Sequence, residues 1–295
     1  MNEISEVPKY LYHYTNINSL ALILQSKKFL FSSLPDLDDL EEGLIKDRQK
    51  WTKYCFVSSW TSQIKEDIPM WKMYCNDLKG VRIRLPSNLF PIYEITSPQV
   101  EDQLAKMGSI NLSKKPDDKL GDAPIESPKI WFRSPVPIEE FFNEQYSFLS
   151  SSFKGVELVK VNYTDEEDDI LQKIGSISGE LLEVALGKLG KAKRSHWDFQ
   201  KEWRYIVRIL PVPFRQTFPF LPGFNKDFMS AAIELCLNLP FSNYLMCVDE
   251  KKFEDMEITL GPKANEGDRA MVELLINEYN PSASWKYSDL KDKIR

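Results

Sequence analysis

Glu202-Trp203-Arg204-Tyr205-Ile206-Val207-Arg208-Ile209-Leu210 is the segment on which the fold turns. Aromatic and β-branched residues suit a pleated, packed surface, so it reads as the strongest strand late in the chain. Far upstream, Lys9 to Thr15 alternates in the strand manner, with Leu11, His13 and Thr15 on one side and Tyr10, Tyr12 and Tyr14 on the other. A helix is expected directly after it. Asn16 or Asn18 caps that helix, Leu20, Ile23 and Leu24 form its apolar face, and Lys27-Lys28 close it at the negative end of its dipole. Further strands are expected just after Phe29, over Tyr54–Ser58, Val81–Leu85, Val156–Tyr163, Tyr244–Val248 and Met256–Leu260. Helices are expected over Asp39–Lys50, over Glu66–Asn76 with Pro69 in the first turn, after the acidic run Asp165–Asp169, and over Arg269–Tyr279. Strands and helices mix without strict alternation and no long period repeats, which places the chain in the α+β class.

The chain has 295 residues and a formal net charge of −6. At about 150 residues per domain that length allows one large domain or two small ones. A hydrophobic fraction of 42% and a charged fraction of 28% are those of a globular protein. From Pro86 to Pro137 the sequence turns rich in Pro, Lys and Asp, so residues 86–150 read as a loop-rich insertion within a single domain spanning residues 1–295.

Scarcity narrows the chemistry. With 2 His, 4 Cys and 12 Gly, a zinc site is not expected: Cys55, Cys75, Cys236 and Cys247 form no C-x-x-C pair, and His13 and His196 lie far apart. The cysteines and the acidic, non-apolar start Met1 to Glu6 read as a reduced, cytoplasmic protein. No apolar run approaches the roughly 18 residues of a membrane span. Neither G-x-G nor a Walker loop occurs, so phosphate cradles of those kinds are excluded. Gly175-Ser176-Ile177-Ser178-Gly179 imitates a nucleophile elbow, but Ile177 stands where the Ser must be, and the stretch reads as a flexible helix start or loop. One local field opposes the global one: between Ala185 and Arg215, eight basic residues face two acids, and Glu202 sits among them.

Three separated pieces carry a resemblance. They are Leu11-Tyr12-His13-Tyr14-Thr15 with its following helix and Ser26-Lys27-Lys28-Phe29-Leu30-Phe31; Cys55-Phe56-Val57-Ser58 with Met70-Trp71-Lys72-Met73-Tyr74 and Lys79-Gly80-Val81-Arg82-Ile83; and Trp197 with Lys201 to Val207, framed by Val159–Tyr163 and Ile258–Pro262. In order and spacing they resemble a bacterial domain family of unknown function that is grouped with the ADP-ribosyltransferase superfamily, His-Tyr-Glu type. The match covers roughly residues 9 to 288. It implies a split β-sandwich with flanking helices, NAD as co-substrate and a macromolecular acceptor, protein or nucleic acid, with no metal and no membrane.

The resemblance implies His13, Tyr74 and Glu202 as the catalytic set: His13 bonding a ribose hydroxyl, Tyr74 stacking on the nicotinamide ring, Glu202 holding the 2′-hydroxyl of the nicotinamide ribose. The implied cofactor-binding set is His13, Tyr14, Thr15, Ser58, Trp71, Tyr74 and Arg204. The chain departs from poly(ADP-ribose) polymerases at Tyr14, where those enzymes have Gly, so its nicotinamide pocket is expected to be shaped differently.

Such chemistry suits a sparse toolkit. Nicotinamide leaves NAD as a neutral pyridine and needs no general acid, so one carboxylate beside an oxocarbenium-like ribose suffices, helped by an aromatic wall of Tyr12, Tyr14, Trp60, Trp71 and Tyr74. Taken singly, His13 reads as a core histidine, Tyr74 and Trp71 as packing and Glu202 as an ion-pair partner; their joint order points to an NAD cleft. A scaffold on the same fold that binds a nucleotide without turnover is the competing expectation. An RNA 2′-phosphotransferase would need more Arg and His for its phosphate than the chain places, and a metal-dependent nuclease a compact carboxylate pair with a His that the sequence does not show.

Overall fold

The structure, a computed structural model, describes residues 6–106, 130–149, 155–178, 181–216 and 225–294. Among them ten strands form one sheet: β1 (Tyr10–Thr15), β2 (Lys28–Ser33), β3 (Cys55–Thr61), β4 (Val81–Pro86), β5 (Ser147–Phe148), β6 (Glu157–Lys160), β7 (Glu202–Leu210), β8 (Asn243–Cys247), β9 (Glu257–Leu260) and β10 (Ser284–Tyr287). The expected α+β class is what the chain adopts: a mixed, non-barrel sheet with flanking helices. Its pairings are antiparallel except β9 with β10.

All nine residues of β7 are buried, as a strand packed on both faces requires. One edge of β7 pairs with β3 from Glu202↔Thr61 to Arg208↔Cys55; the other pairs with β6 and then β5. The free edge of β3 is shared. Its first half takes β2, at Ser33↔Phe56 and Ser32↔Val57, and its far end takes β1, at Tyr12↔Thr61. The sheet therefore branches at β3, one arm running β2–β8 and the other β1–β4–β9–β10, with Ser58, Ser59 and Trp60 facing the fork.

Between the arms lies helix α1 (Ile17–Ser26). Asn16 caps it by accepting from the Ser19 amide at 2.8 Å, and it buries Leu20, Ile23 and Leu24. Lys27, at φ 51°, turns the chain straight into β2. Helix α2 (Ile68–Tyr74) starts at Asp67, whose carboxylate accepts from the Met70 amide, with Pro69 in its first turn. Gly80 lets β4 close on β1: a Cβ there would sit 2.2 Å from the Thr15 carbonyl oxygen. Among the helices that follow, the three of more than two turns are α3 (Ser97–Lys106), α4 (Lys226–Glu234) and α5 (Glu266–Tyr279); α5 carries a full capping box at Asn265 and Asp268 and packs against α1.

Some expectations change. Asp39–Lys50 is not a helix: a 3-10 turn, Leu40–Gly43, is capped by Asp39, and the stretch offers no periodic apolar face while Glu41 and Glu42 are drawn into ion pairs with Arg194 and Arg204. Gly175–Ser178 is neither a helix start nor a loop but a strand paired with Leu181–Val184; Gly179 lies outside the described residues. The described parts of 86–150 carry regular structure, an antiparallel pair of Tyr93–Thr96 with Ile130–Ser134 beside α3, and Ile95, Val100, Val136, Phe141 and Phe148 belong to the same core cluster as Leu11, Ile83 and Val207.

All four cysteines are free. Among the described residues no helix is long and apolar enough to cross a membrane, and no group of His, Cys, Asp and Glu is placed to hold a metal ion.

Candidate functional site

A cleft of about 510 Å³ opens at the fork, in the size range of small-molecule sites. His13 from β1, Tyr74 from the end of α2 and Glu202 from the start of β7 all line it, as do Tyr14, Thr15, Ser58 and Arg204. Trp71 does not: it is fully buried behind Tyr14, ring centroids 4.9 Å apart, and its indole N–H donates to Glu66 at 2.9 Å. The two stand three residues apart on α2: Trp71 faces inward and is buried, while Tyr74 is the last residue of the helix and reaches the cleft.

His13 occupies the fork itself. Its Nδ1 is 2.9 Å from the carbonyl oxygen of Ser59, and because a carbonyl only accepts, Nδ1 carries the proton. Burial pushes the imidazole below its ordinary value, against the opposing pull of that carbonyl, so the ring is neutral and Nε2 is an acceptor. The ring packs against Trp60 at 5.1 Å and edge-on to Phe29 at 5.7 Å.

Glu202 lies in a buried group of four charges. The Arg204 guanidinium donates from Nε to Glu202 Oε1 at 2.7 Å and from Nη2 to Glu202 Oε2 at 3.1 Å. It also grips Glu42 through Nη1 and, at 2.9 Å, through Nη2. Lys193 Nζ lies 3.3 Å from Glu42 and 3.5 Å from Glu202. Two cations and two anions, 0% to 6% exposed in their side chains, thus neutralise one another. Burial opposes ionisation of Glu202, but Arg204 and Lys193, with hydrogen bonds from Arg204 and the Ser59 hydroxyl, outweigh it and hold the carboxyl below its usual range. The Glu202 amide donates to the Tyr163 hydroxyl at 2.9 Å.

A polar chain links this group to Tyr74. Lys193 donates to Gln200 Oε1 at 3.0 Å, Gln200 Nε2 donates to the Tyr74 hydroxyl at 2.7 Å, and that hydroxyl donates onward to Asp38 at the cleft lip. Burial, with the Asp38 and Glu202 charges, raises the phenol's pKa and keeps it protonated. Tyr14, whose hydroxyl accepts from the Asp67 amide at 3.3 Å, is likewise pushed up by burial, to about 12.

Asp38, Glu42, Lys193 and Gln200 escaped the sequence reading. Lys193 stands in the basic stretch, but the acid opposite it, Glu42, comes from a turn some 150 residues earlier, and no local pattern pairs them. The basic stretch itself is largely neutralised: Arg208 and Lys191 pair with Glu157, Arg194 with Glu41 and Lys201 with Asp198, while Arg215 has no described side chain. His196 is exposed, as expected of a surface residue.

The arrangement brings a neutral imidazole acceptor, an ionised carboxylate and aromatic faces to one concave surface. Hydroxyl groups and a flat ring fit such a set. The Glu202 oxygens already receive Arg204, Lys193 and Ser59, so a ligand hydroxyl enters most readily by displacing the Ser59 hydroxyl, which rotates freely about its own bond. No protein-family model matches the chain, and no curated protein and no solved structure is similar to it.

Proposed function

We propose that the protein binds NAD in this cleft, cleaves the nicotinamide–ribose bond and transfers ADP-ribose to a macromolecular acceptor, on a split β-sandwich of the ADP-ribosyltransferase kind. One observation carries the reading: His13, Tyr74 and Glu202, separated by 61 and 128 positions in the chain, line a single cleft. In this reading the neutral His13 Nε2 accepts a ribose hydroxyl, Tyr74 and Trp60 flank the nicotinamide, and the ionised Glu202 lies against the ribose as positive charge builds on it. The C–N bond breaks with its electron pair going to the nicotinamide nitrogen; a lone pair of the acceptor forms the new bond at C1′, and the acceptor's proton passes to solvent.

Nicotinamide release, followed by chromatography with NAD and candidate acceptors, tests it. Release together with a mass increment of one ADP-ribose on an acceptor is the expected result, with Tyr74→Ala lowering the rate by at least tenfold. NAD left intact with every acceptor would sink the reading. Glu202→Gln is informative only beside a stability measurement, because it also leaves Arg204 and Lys193 short of a counter-charge.

A second reading, nucleotide binding without turnover, is favoured by the saturation of Glu202 by Arg204, Lys193 and Ser59. A rise in melting temperature with NAD, ADP-ribose or AMP and no nicotinamide release would select it.

A further inference from the structure

The cleft is electrically polarised along β2. Beyond the C-terminal end of that strand, Asp36 and the exposed Asp38 sit on one lip; at its N-terminal end stands Lys28. Six residues of strand, roughly 17 Å at about 3.3 Å per residue, separate the two ends. Among the described residues the cations lining the cleft are Lys28, Lys193 and Arg204. Lys193 and Arg204 are committed to Glu42 and Glu202, whereas the Lys28 ammonium has no ion-pair or hydrogen-bond partner among the described residues.

The wall beside Lys28 is apolar. Lys28, Leu30 and Ser32 share one face of β2, and β8 sets Cys247, Leu245 and Asn243 opposite them. Leu30 and Leu245, a directly opposed pair, are 50% and 51% exposed, and Leu22 from α1, 65% exposed, stands on the same rim. Three large aliphatic side chains left open to water next to a free ammonium make a flat apolar platform with a cation at its edge.

We infer that this wall is a nucleoside-diphosphate subsite, with Lys28 holding the phosphates and Leu22, Leu30 and Leu245 covering the face of the base. The inference rests on the NAD reading above and adds an orientation to it. The oxidised nicotinamide is cationic and the diphosphate is anionic, so the dinucleotide's own polarity matches a cleft that is acidic towards Asp38 and cationic at Lys28. The floor supplies no phosphate site, since its two cations are saturated and its acids repel phosphate.

Binding titrations with ADP-ribose, AMP, nicotinamide and inorganic pyrophosphate test it on the full chain. Lys28 lies on an edge arm away from the buried charges, so Lys28→Gln folds. Expected is a loss of about tenfold in affinity for ADP-ribose and pyrophosphate, equivalent to about 1.4 kcal/mol, with Lys28→Arg restoring most of it and nicotinamide unaffected. Leu245→Ser is expected to weaken ADP-ribose and AMP severalfold and leave pyrophosphate unchanged. ADP-ribose bound equally by wild type and Lys28→Gln would overturn the inference and leave the NAD reading standing; no binding of any nucleotide by the wild type would overturn both.

Discussion

Arg204 and Arg208 stand four residues apart on β7, on the same side of one strand, and both are fully buried, yet they hold different things. Arg204 is gripped by two carboxylates, Glu42 and Glu202, at the cleft floor. Arg208 donates to the backbone carbonyls of Leu186 at 2.7 Å, Gly187 at 3.1 Å and Leu189 at 3.1 Å, and to the single carboxylate of Glu157. The first arginine sets the charge state of a site; the second fastens a loop. Burial and residue type are identical, so partners alone separate a functional environment from a structural one.

Arg204→Met gives the largest expected effect. It leaves Glu42 and Glu202 buried with only Lys193 between them, and a stability loss of about 3–5 kcal/mol is expected in urea unfolding. Glu42→Gln added to it is expected to restore part of that loss, because one stranded carboxylate disappears; strict additivity in the double-mutant cycle would show that the four charges are not one unit. Arg208→Met is expected to cost about 3 kcal/mol, from the Gly187 and Leu189 carbonyls left without its guanidinium and from Glu157 left with Lys191 alone, while nucleotide affinity of the folded fraction stays unchanged. A selective loss of affinity there would erase the contrast between the two arginines.

pH offers a third probe. Burial holds the His13 pKa below 6.5, so the unfolded chain binds the proton more tightly than the folded one. The stability this gives is fully present above pH 6.5 and is lost as pH falls from there through the folded value. Glu202, also depressed, adds a second loss that begins below about pH 4.5. His13→Gln is expected to flatten the unfolding free energy as pH falls below about 6.5; an unchanged profile would remove His13 as its source. The smallest effect is expected at Lys201→Ala, which breaks a half-exposed pair with Asp198 and should shift stability by less than about 1 kcal/mol.

Much of the scaffold was legible in the sequence, because its determinants are local. Tyr10–Thr15, Val81–Pro86 and Glu202–Leu210 declare themselves by strand pattern, Asn16 by capping, Pro69 by its place in the first turn of α2, and Gly80 marks the entry to β4. The 3-10 turn at Leu40–Gly43 was not legible, because Glu41 and Glu42 take their shape from Arg194 and Arg204, more than 150 residues away. The basic run misled for the same reason. Its charges face inward, towards acids that the sequence places elsewhere.

The fork at β3 has a mechanical consequence. In a continuous ladder, prising two strands apart breaks a row of bonds together. Between Val57 and Thr61 the shared edge of β3 carries no ladder, and the arm that begins at β1 is fastened to it there by one imidazole on one carbonyl, a contact with a net strength of about 0.5–1.5 kcal/mol. His13 thus touches both sides of the fork, its Nδ1 on the shared strand and its ring edge-on to Phe29 of the other arm, so a single residue clasps the mouth of the cleft.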